Sequence, residues 1–183
     1  MVARDGVDGA SLRAVATEAG WSVGSMRHYF ATKDELLVFA LRYVGERIED
    51  RIDQRPRDEG TARGDLRAAV VEMLPLDAVR RREALVWLAF IARAGVQPGL
   101  GGAAERVWRA VNGPLARRLR AAVDRGELPP DFAVEDHALG LQALVDGLVV
   151  HLVSTPELVS AQRALAALDR HLATLGWGPS VHV

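Results

Sequence analysis

Ser22, Val23, Gly24 and Ser25 stand in a row, followed by Arg27, His28 and Tyr29 and, a little further on, Lys33. Small or polar side chains at the start of a helix let its backbone come close to base-pair edges, where hydroxyls donate or accept. The residues behind them can donate to phosphate. No acidic residue interrupts Ala19 to Lys33. Lys33 would open a further helix, whose free N–H groups also favour a phosphate. The chemistry this stretch could do is the reading of a DNA groove. That argument has to be local, because the whole chain has 23 basic and 24 acidic residues and a net charge of −1.

A second constellation lies further along. Trp87, Phe90, Trp108, Asn112, Leu115, Leu141 and Asp146 form the mixture of apolar walls and few polar groups that lines small-molecule pockets. Trp87 and Trp108 could face a cation with their rings, with Asp146 as counter-charge. The plainer reading is ordinary core aromatics and an Asp whose neighbour, Gly147, allows close helix packing. The run Arg80-Arg81-Arg82 reads as the start of a solvated helix face. Catalysis finds no support. There is no Cys, and no Ser-His-Asp set, metal motif or Gly-rich phosphate loop. His137 and His151 are fourteen residues apart, about 21 Å along one helix, so they cannot share a metal within one chain. No cofactor is expected and no metal site.

These residues need helices to position them. No period-2 alternation is sustained and Ala and Leu outweigh β-branched residues, so the fold class is all-α. Ser11 can cap a short helix to about Ala19, with Leu12, Val15, Ala16 and Ala19 on one face; Gly20 ends it. Ser22 can cap a second, to about Phe30. Two short helices joined at Gly20–Trp21 fit a helix-turn-helix, though a plain helical hairpin has the same spacing. Thr32 can cap a long third helix with an apolar stripe at Leu37, Leu41, Val44, Ile48 and Ile52. Its other face, with Arg42, Glu46, Arg47, Glu49, Asp50 and Arg51, reads as solvated. After a polar loop at Gln54–Gly64, helices are expected at about Asp65–Leu74, Ala78–Ala94, Gly102–Arg125 (bent by Pro114), Val134–Val153 and Pro156–Leu175. In the last, Leu158, Ala161, Leu165, Leu168, Leu172 and Leu175 make a heptad-like seam. With Leu144, Leu148, His151 and Leu152 before it, this seam either fills the chain's own core or joins a second copy in a four-helix bundle. A homodimer through Leu144, Leu148, His151, Leu152, Leu165, Leu168 and Leu172 is the expectation.

The stretches Gly9–Ala16, Ala19–Phe30 and Lys33–Leu37 closely resemble the DNA-binding signature of the TetR family of transcriptional regulators. The body is similar to a subgroup that includes choline-responsive repressors, on Leu74–Asp77, Arg80–Glu83, Val86–Phe90, Gly126–Leu128 and Leu144–Leu148. The resemblance implies an N-terminal DNA-binding domain (1–44) and a helical effector-binding and dimerisation domain (45–177). It assigns phosphate contacts to Ser11 and Arg13, the base-facing helix start to Ser22, Val23, Gly24 and Ser25, and backbone contacts to Arg27, His28, Tyr29 and Lys33. Arg27 stands where many members have Tyr, which alters preference more than competence. The family's first helix is represented here only by Met1–Asp5, so weak DNA binding is expected unless that helix is supplied. The implied function is a homodimeric repressor of an operator, released by a small-molecule effector. The alternative is a helical small-molecule-binding protein that no longer reads DNA. No signal-peptide pattern follows Met1, and the longest apolar run, Ala84–Ala92, is far short of a bilayer span, so a cytoplasmic protein without a membrane partner is expected.

Overall fold

The computed structural model describes residues 20, 22–55, 61–97 and 100–178. Among these residues there are seven helices and no strand: α1 (Val23–Tyr29), α2 (Lys33–Asp53), α3 (Ala62–Met73), α4 (Ala78–Ala94), α5 (Gly101–Asp124), α6 (Val134–Ser154) and α7 (Ala161–Ala173). The first expected short helix, with Ser11 and Arg13, lies outside the described residues.

The helix starts follow from their capping side chains. Ser22 Oγ accepts the Ser25 N–H at 2.9 Å. Thr32 Oγ1 accepts the Glu35 N–H at 3.1 Å, and the Glu35 carboxylate reaches back to the Ala31 N–H at 2.8 Å, a reciprocal pairing that fixes the entry to α2. Asp77 does the same for α4, accepting from Val79 and Arg80, both at 2.8 Å. The start of α3 is held from far away: Glu127, buried in the turn between α5 and α6, accepts the Ala62 N–H at 2.7 Å. That turn is made at Gly126, whose φ of 72° lies in the left-handed region that glycine adopts without strain.

The large core joins α3, α5, α6 and α7 through Leu66, Val70, Leu115, Leu119, Leu141, Val145, Leu168 and Leu172. A smaller core ties α2 to α4 and α5 through Leu37, Leu41, Phe90, Leu100 and Ala103. The expected α2 stripe is therefore real, but only Leu37, Leu41 and Val44 are buried. Ile48 and Ile52 face a cavity instead.

Several expectations change. The last helix starts at Ala161 rather than Pro156, because Ser160 caps it, and Leu158 sits exposed on the turn before it. Arg81 and Arg82 are exposed as expected, and only Arg80 is drawn inward. Arg80 pairs with Glu72 and Asp77, and Arg81 donates to the Leu152 and Val153 carbonyls, both at 3.1 Å, at the end of α6. The α7 seam turns inward: Leu168 and Leu172 are fully buried in the chain's own core, as are Leu148 and Leu152 within a tenth of full exposure. Leu144 and Leu165 are half-buried against the same core, and of the seven leading residues in that expectation only His151 is exposed. The uncovered face of α6 is instead Leu139, Gly140, Ala143, Val150 and His151, with Gly147 half-exposed. By length and composition α6 could cross a bilayer; here one side of it forms the centre of the large core.

Candidate DNA interface and effector cavity

The helix expected to enter the groove is α1. Gly24, Ser25, His28 and Tyr29 are exposed along it, and Ser22 is exposed before it. Val23 and Arg27 belong to the same helix. Ser22 and Ser25 are also joined side chain to side chain at 2.8 Å, so the cap and the hydroxyls available to a base edge are one unit. The His28 and Tyr29 rings meet edge to face at 5.5 Å, and Tyr29 is 64% exposed. Lys33 is the first residue of α2. The packing of Phe30 on Phe39, ring centroids 5.2 Å apart, holds the end of α1 against α2. The exposed set thus lies on one short helix and the Ser22 cap before it, with Lys33 half-buried at the start of the next, whereas Ser11 and Arg13 lie outside the described residues.

Away from this end, α2, α3, α4, α5 and α6 line a partly open cavity of about 420 Å³. The wall from α5 is made by Ala103, Arg106, Val107, Ala110, Val111, Pro114, Leu115 and Arg118, successive steps of three and one that trace one helix face. Three of the expected pocket residues are in the wall: Trp87, Leu115 and Asp146. The other four are not. Trp108 and Asn112 each follow a wall residue by one position, which turns them about 100° away; Trp108 is 44% exposed and Asn112 is buried elsewhere. Phe90 is buried in the smaller core and Leu141 in the large one. Sequence reasoning missed the α2 contribution of Val38, Leu41, Val44, Gly45, Ile48 and Ile52. The signal was the stripe itself, longer than a packing partner for it.

Inside the apolar wall the Trp87 indole Nε1–H donates to the Asp146 carboxylate at 3.1 Å. No Arg or Lys pairs with Asp146 among the described residues. Burial pushes its carboxyl above the ordinary Asp range, and the Trp87 hydrogen bond opposes this only in part. Pro114 has no N–H, so the Ala110 carbonyl loses its usual helical donor, and both residues are in the wall. One half-buried carboxylate and one indole in a largely apolar wall suit an organic cation, with Glu46, Glu49 and Glu83 offsetting Arg42, Arg80, Arg106 and Arg118 around them.

At the far end of α2 an ion cluster forms. Arg51 Nε donates to Glu72 at 2.9 Å, and its two terminal nitrogens to Glu83 at 2.9 and 2.7 Å. Arg55 and Arg80 approach Glu72 and Arg47 approaches Glu83. Arg51 was expected on a solvated face; the two buried carboxylates, 6% and 9% exposed, draw it inward.

Comparison with known proteins follows the same division. Residues 1–38 match the family model "Bacterial regulatory proteins, tetR family" and residues 62–176 match "BetI-type transcriptional repressor, C-terminal". The chain is 34% identical over 172 residues to the HTH-type transcriptional regulator PksA of Bacillus subtilis, covering 93% of this chain and 82% of that one. A crystal structure of a transcriptional regulator from Rhodococcus sp. RHA1 is similar at 34% identity and a TM-score of 0.79, over 95% of this chain and 89% of that one. The fold also matches a transcriptional regulator from Saccharomonospora viridis, solved in complex with choline, with a TM-score of 0.81 at 22% identity over 97% of this chain and 92% of that one.

Proposed function

Because the chain belongs to the tetR family of bacterial transcriptional regulators and carries a BetI-type repressor body, we propose that it holds its operator as a homodimer and releases it when an organic cation occupies the cavity beside Asp146. It is a regulator and not an enzyme. A DNA-binding module of the family is present, which favours this reading over a sensor that no longer reads DNA. In the proposed complex the two α1 helices enter successive major grooves, about 34–36 Å apart. Gly24, Ser25 and the start of α1 meet base edges, while Arg27, His28, Tyr29 and Lys33 meet phosphates. The two copies join through the uncovered faces of α6 and α7. Gly140, Ala143 and Gly147 let helices approach closely, while Leu139 and Val150 supply apolar area.

The observation that carries the effector class is the Asp146 carboxylate, held by Trp87 and bonded to none of the four arginines, Arg42, Arg80, Arg106 and Arg118, that line the same largely apolar cavity with Glu46, Glu49 and Glu83. A cation seated there replaces the solvation the carboxylate has lost, and the indole face adds attraction. Choline, the ligand of the S. viridis neighbour, is one cation of this kind. A cavity of about 420 Å³ falls in the range of drug-sized ligands, roughly 300–1,000 Å³, and has room for an apolar body as well as a head group.

The test is release of a labelled DNA fragment from upstream of the protein's own gene, followed by fluorescence anisotropy. Choline, decyltrimethylammonium below its micellar concentration, and decanoate are titrated into the complex. Both cations release the DNA, the decyl compound at the lower concentration, and decanoate does not. Equal release by decanoate, or release by none of the three, overturns the reading.

A further inference from the structure

The geometry points to Arg51, clamped between Glu72 and Glu83, as the positioning residue through which filling of the cavity moves the DNA-reading end of α2. This inference rests on the cavity being the effector site.

Helix α2 is a single rod of 21 residues, about 31 Å long. Lys33 stands at one end, next to α1. Arg51 stands near the other, about 27 Å away along the axis. At the Lys33 end the rod is held to α4 by the ion pair of Asp34 with Arg93 and by Leu37 and Leu41 in the smaller core. At the Arg51 end it is held by the guanidinium, all three of whose nitrogens are engaged. Between the two anchors α2 borders the cavity through Gly45, Ile48 and Glu49, and Ile52 borders it just past the clamp.

Glu83 belongs to both systems. It lines the cavity and it grips Arg51 with both oxygens. Arg80, bonded to Glu72, lines the cavity too. A molecule that presses on this wall therefore acts on the groups that fix the far end of the rod. A bidentate pair between a part-buried guanidinium and buried carboxylates tolerates little sliding, so α2 pivots at the clamp and the displacement is taken up at its other end, by the Asp34–Arg93 pair and the smaller core. A tilt of about 5° around Arg51 displaces Lys33 by about 2.4 Å over that lever arm. Such a shift is close to the size of a hydrogen bond, enough to spoil the register of α1 on DNA. Without the clamp the far end slips, and pressure on the wall is absorbed locally.

The experiment compares operator binding by the full chain with an empty and a filled cavity. Filling is done in two ways: with decyltrimethylammonium, and with Val111→Trp, which grows a side chain from the α5 wall. Each is measured in the parent and in Arg51→Gln. Should Arg51→Gln fail to fold by circular dichroism, Arg51→Met with Glu72→Gln replaces it, since that pair leaves Glu83 with Arg47. Filling should weaken operator binding tenfold or more in the parent and less than threefold in the clamp variant. Affinity of the DNA-free protein for decyltrimethylammonium, read by tryptophan fluorescence, should stay within threefold, which a merely structural loss would not predict. Equal weakening in both backgrounds overturns the inference, as does a parent that responds to neither filling. A parent that responds to Val111→Trp and not to the cation overturns the proposed ligand class alone, and the clamp is then judged on the Val111→Trp comparison.

Discussion

The Asp146 carboxyl sits where burial raises its pKa and only the Trp87 N–H favours the charged form. A carboxyl raised in the folded state contributes most to stability while protonated, below the ordinary Asp value of about 3.9, and loses that contribution as pH rises through its folded pKa. A bound cation reverses the preference, since it interacts with the ionised form. Affinity for decyltrimethylammonium should therefore weaken on acidification at a pH above that at which an ordinary Asp titrates. In Asp146→Asn the affinity should be flat over the same range and lower at neutral pH by on the order of tenfold to a hundredfold, the loss of a charge-assisted contact of about 1.5–3 kcal/mol. Fluorescence titrations across pH read both effects. A parent whose affinity is independent of pH would remove Asp146 from the site.

At the scale of elements, the turn between α5 and α6 is a hub. Glu127 satisfies the first N–H of α3, pairs with Arg125 at 3.1 Å, and its backbone carbonyl accepts the Gly178 N–H at 2.9 Å. Glu127→Ala leaves a buried N–H without an acceptor, 65 positions away in sequence, and should cost about 1–3 kcal/mol in urea unfolding. Cap residues of this kind divide what the sequence displays from what it hides. Ser22 and Thr32 act within three residues and were readable as caps; Ser160 acts as locally but was overlooked, because the seam pattern runs on through Leu158. Glu127 acts across the fold and was not readable. The same contrast explains the cavity. Trp87 and Asp146 could be named from residue type, but their pairing depends on how α4 meets α6. Trp108 and Asn112 were misplaced by a single position, because residue type says nothing of helical phase once every neighbouring helix is amphipathic. Arg51 looked solvated because the two carboxylates that bury it lie on other helices.

At the scale of the whole molecule, the inward turn of the α7 seam decides which surface is left for a second copy. Leu168 and Leu172 are buried in the chain's own core, so in the proposed dimer a partner meets small side chains on α6: Gly140, Ala143 and Gly147 between Leu139 and Val150. Close approach of two such faces excludes water through backbone proximity and shape rather than bulky anchors, and it is correspondingly intolerant of a long charged side chain at its centre. Ala143→Arg should give monomers by sedimentation velocity at micromolar concentration, with the helical content and unfolding midpoint of the single chain little changed, because Ala143 is exposed in it. Val96→Arg, at a 76% exposed position on the turn after α4, should remain dimeric and serves as the control for added charge. The monomer should also bind the upstream DNA far more weakly than the parent, since each α1 reads only half of a site and the coupling of two half-sites is lost with the interface. A dimeric Ala143→Arg protein would place the interface elsewhere. A monomer that kept full DNA affinity would separate the reading of DNA from assembly and leave the spacing of two heads without a role in release.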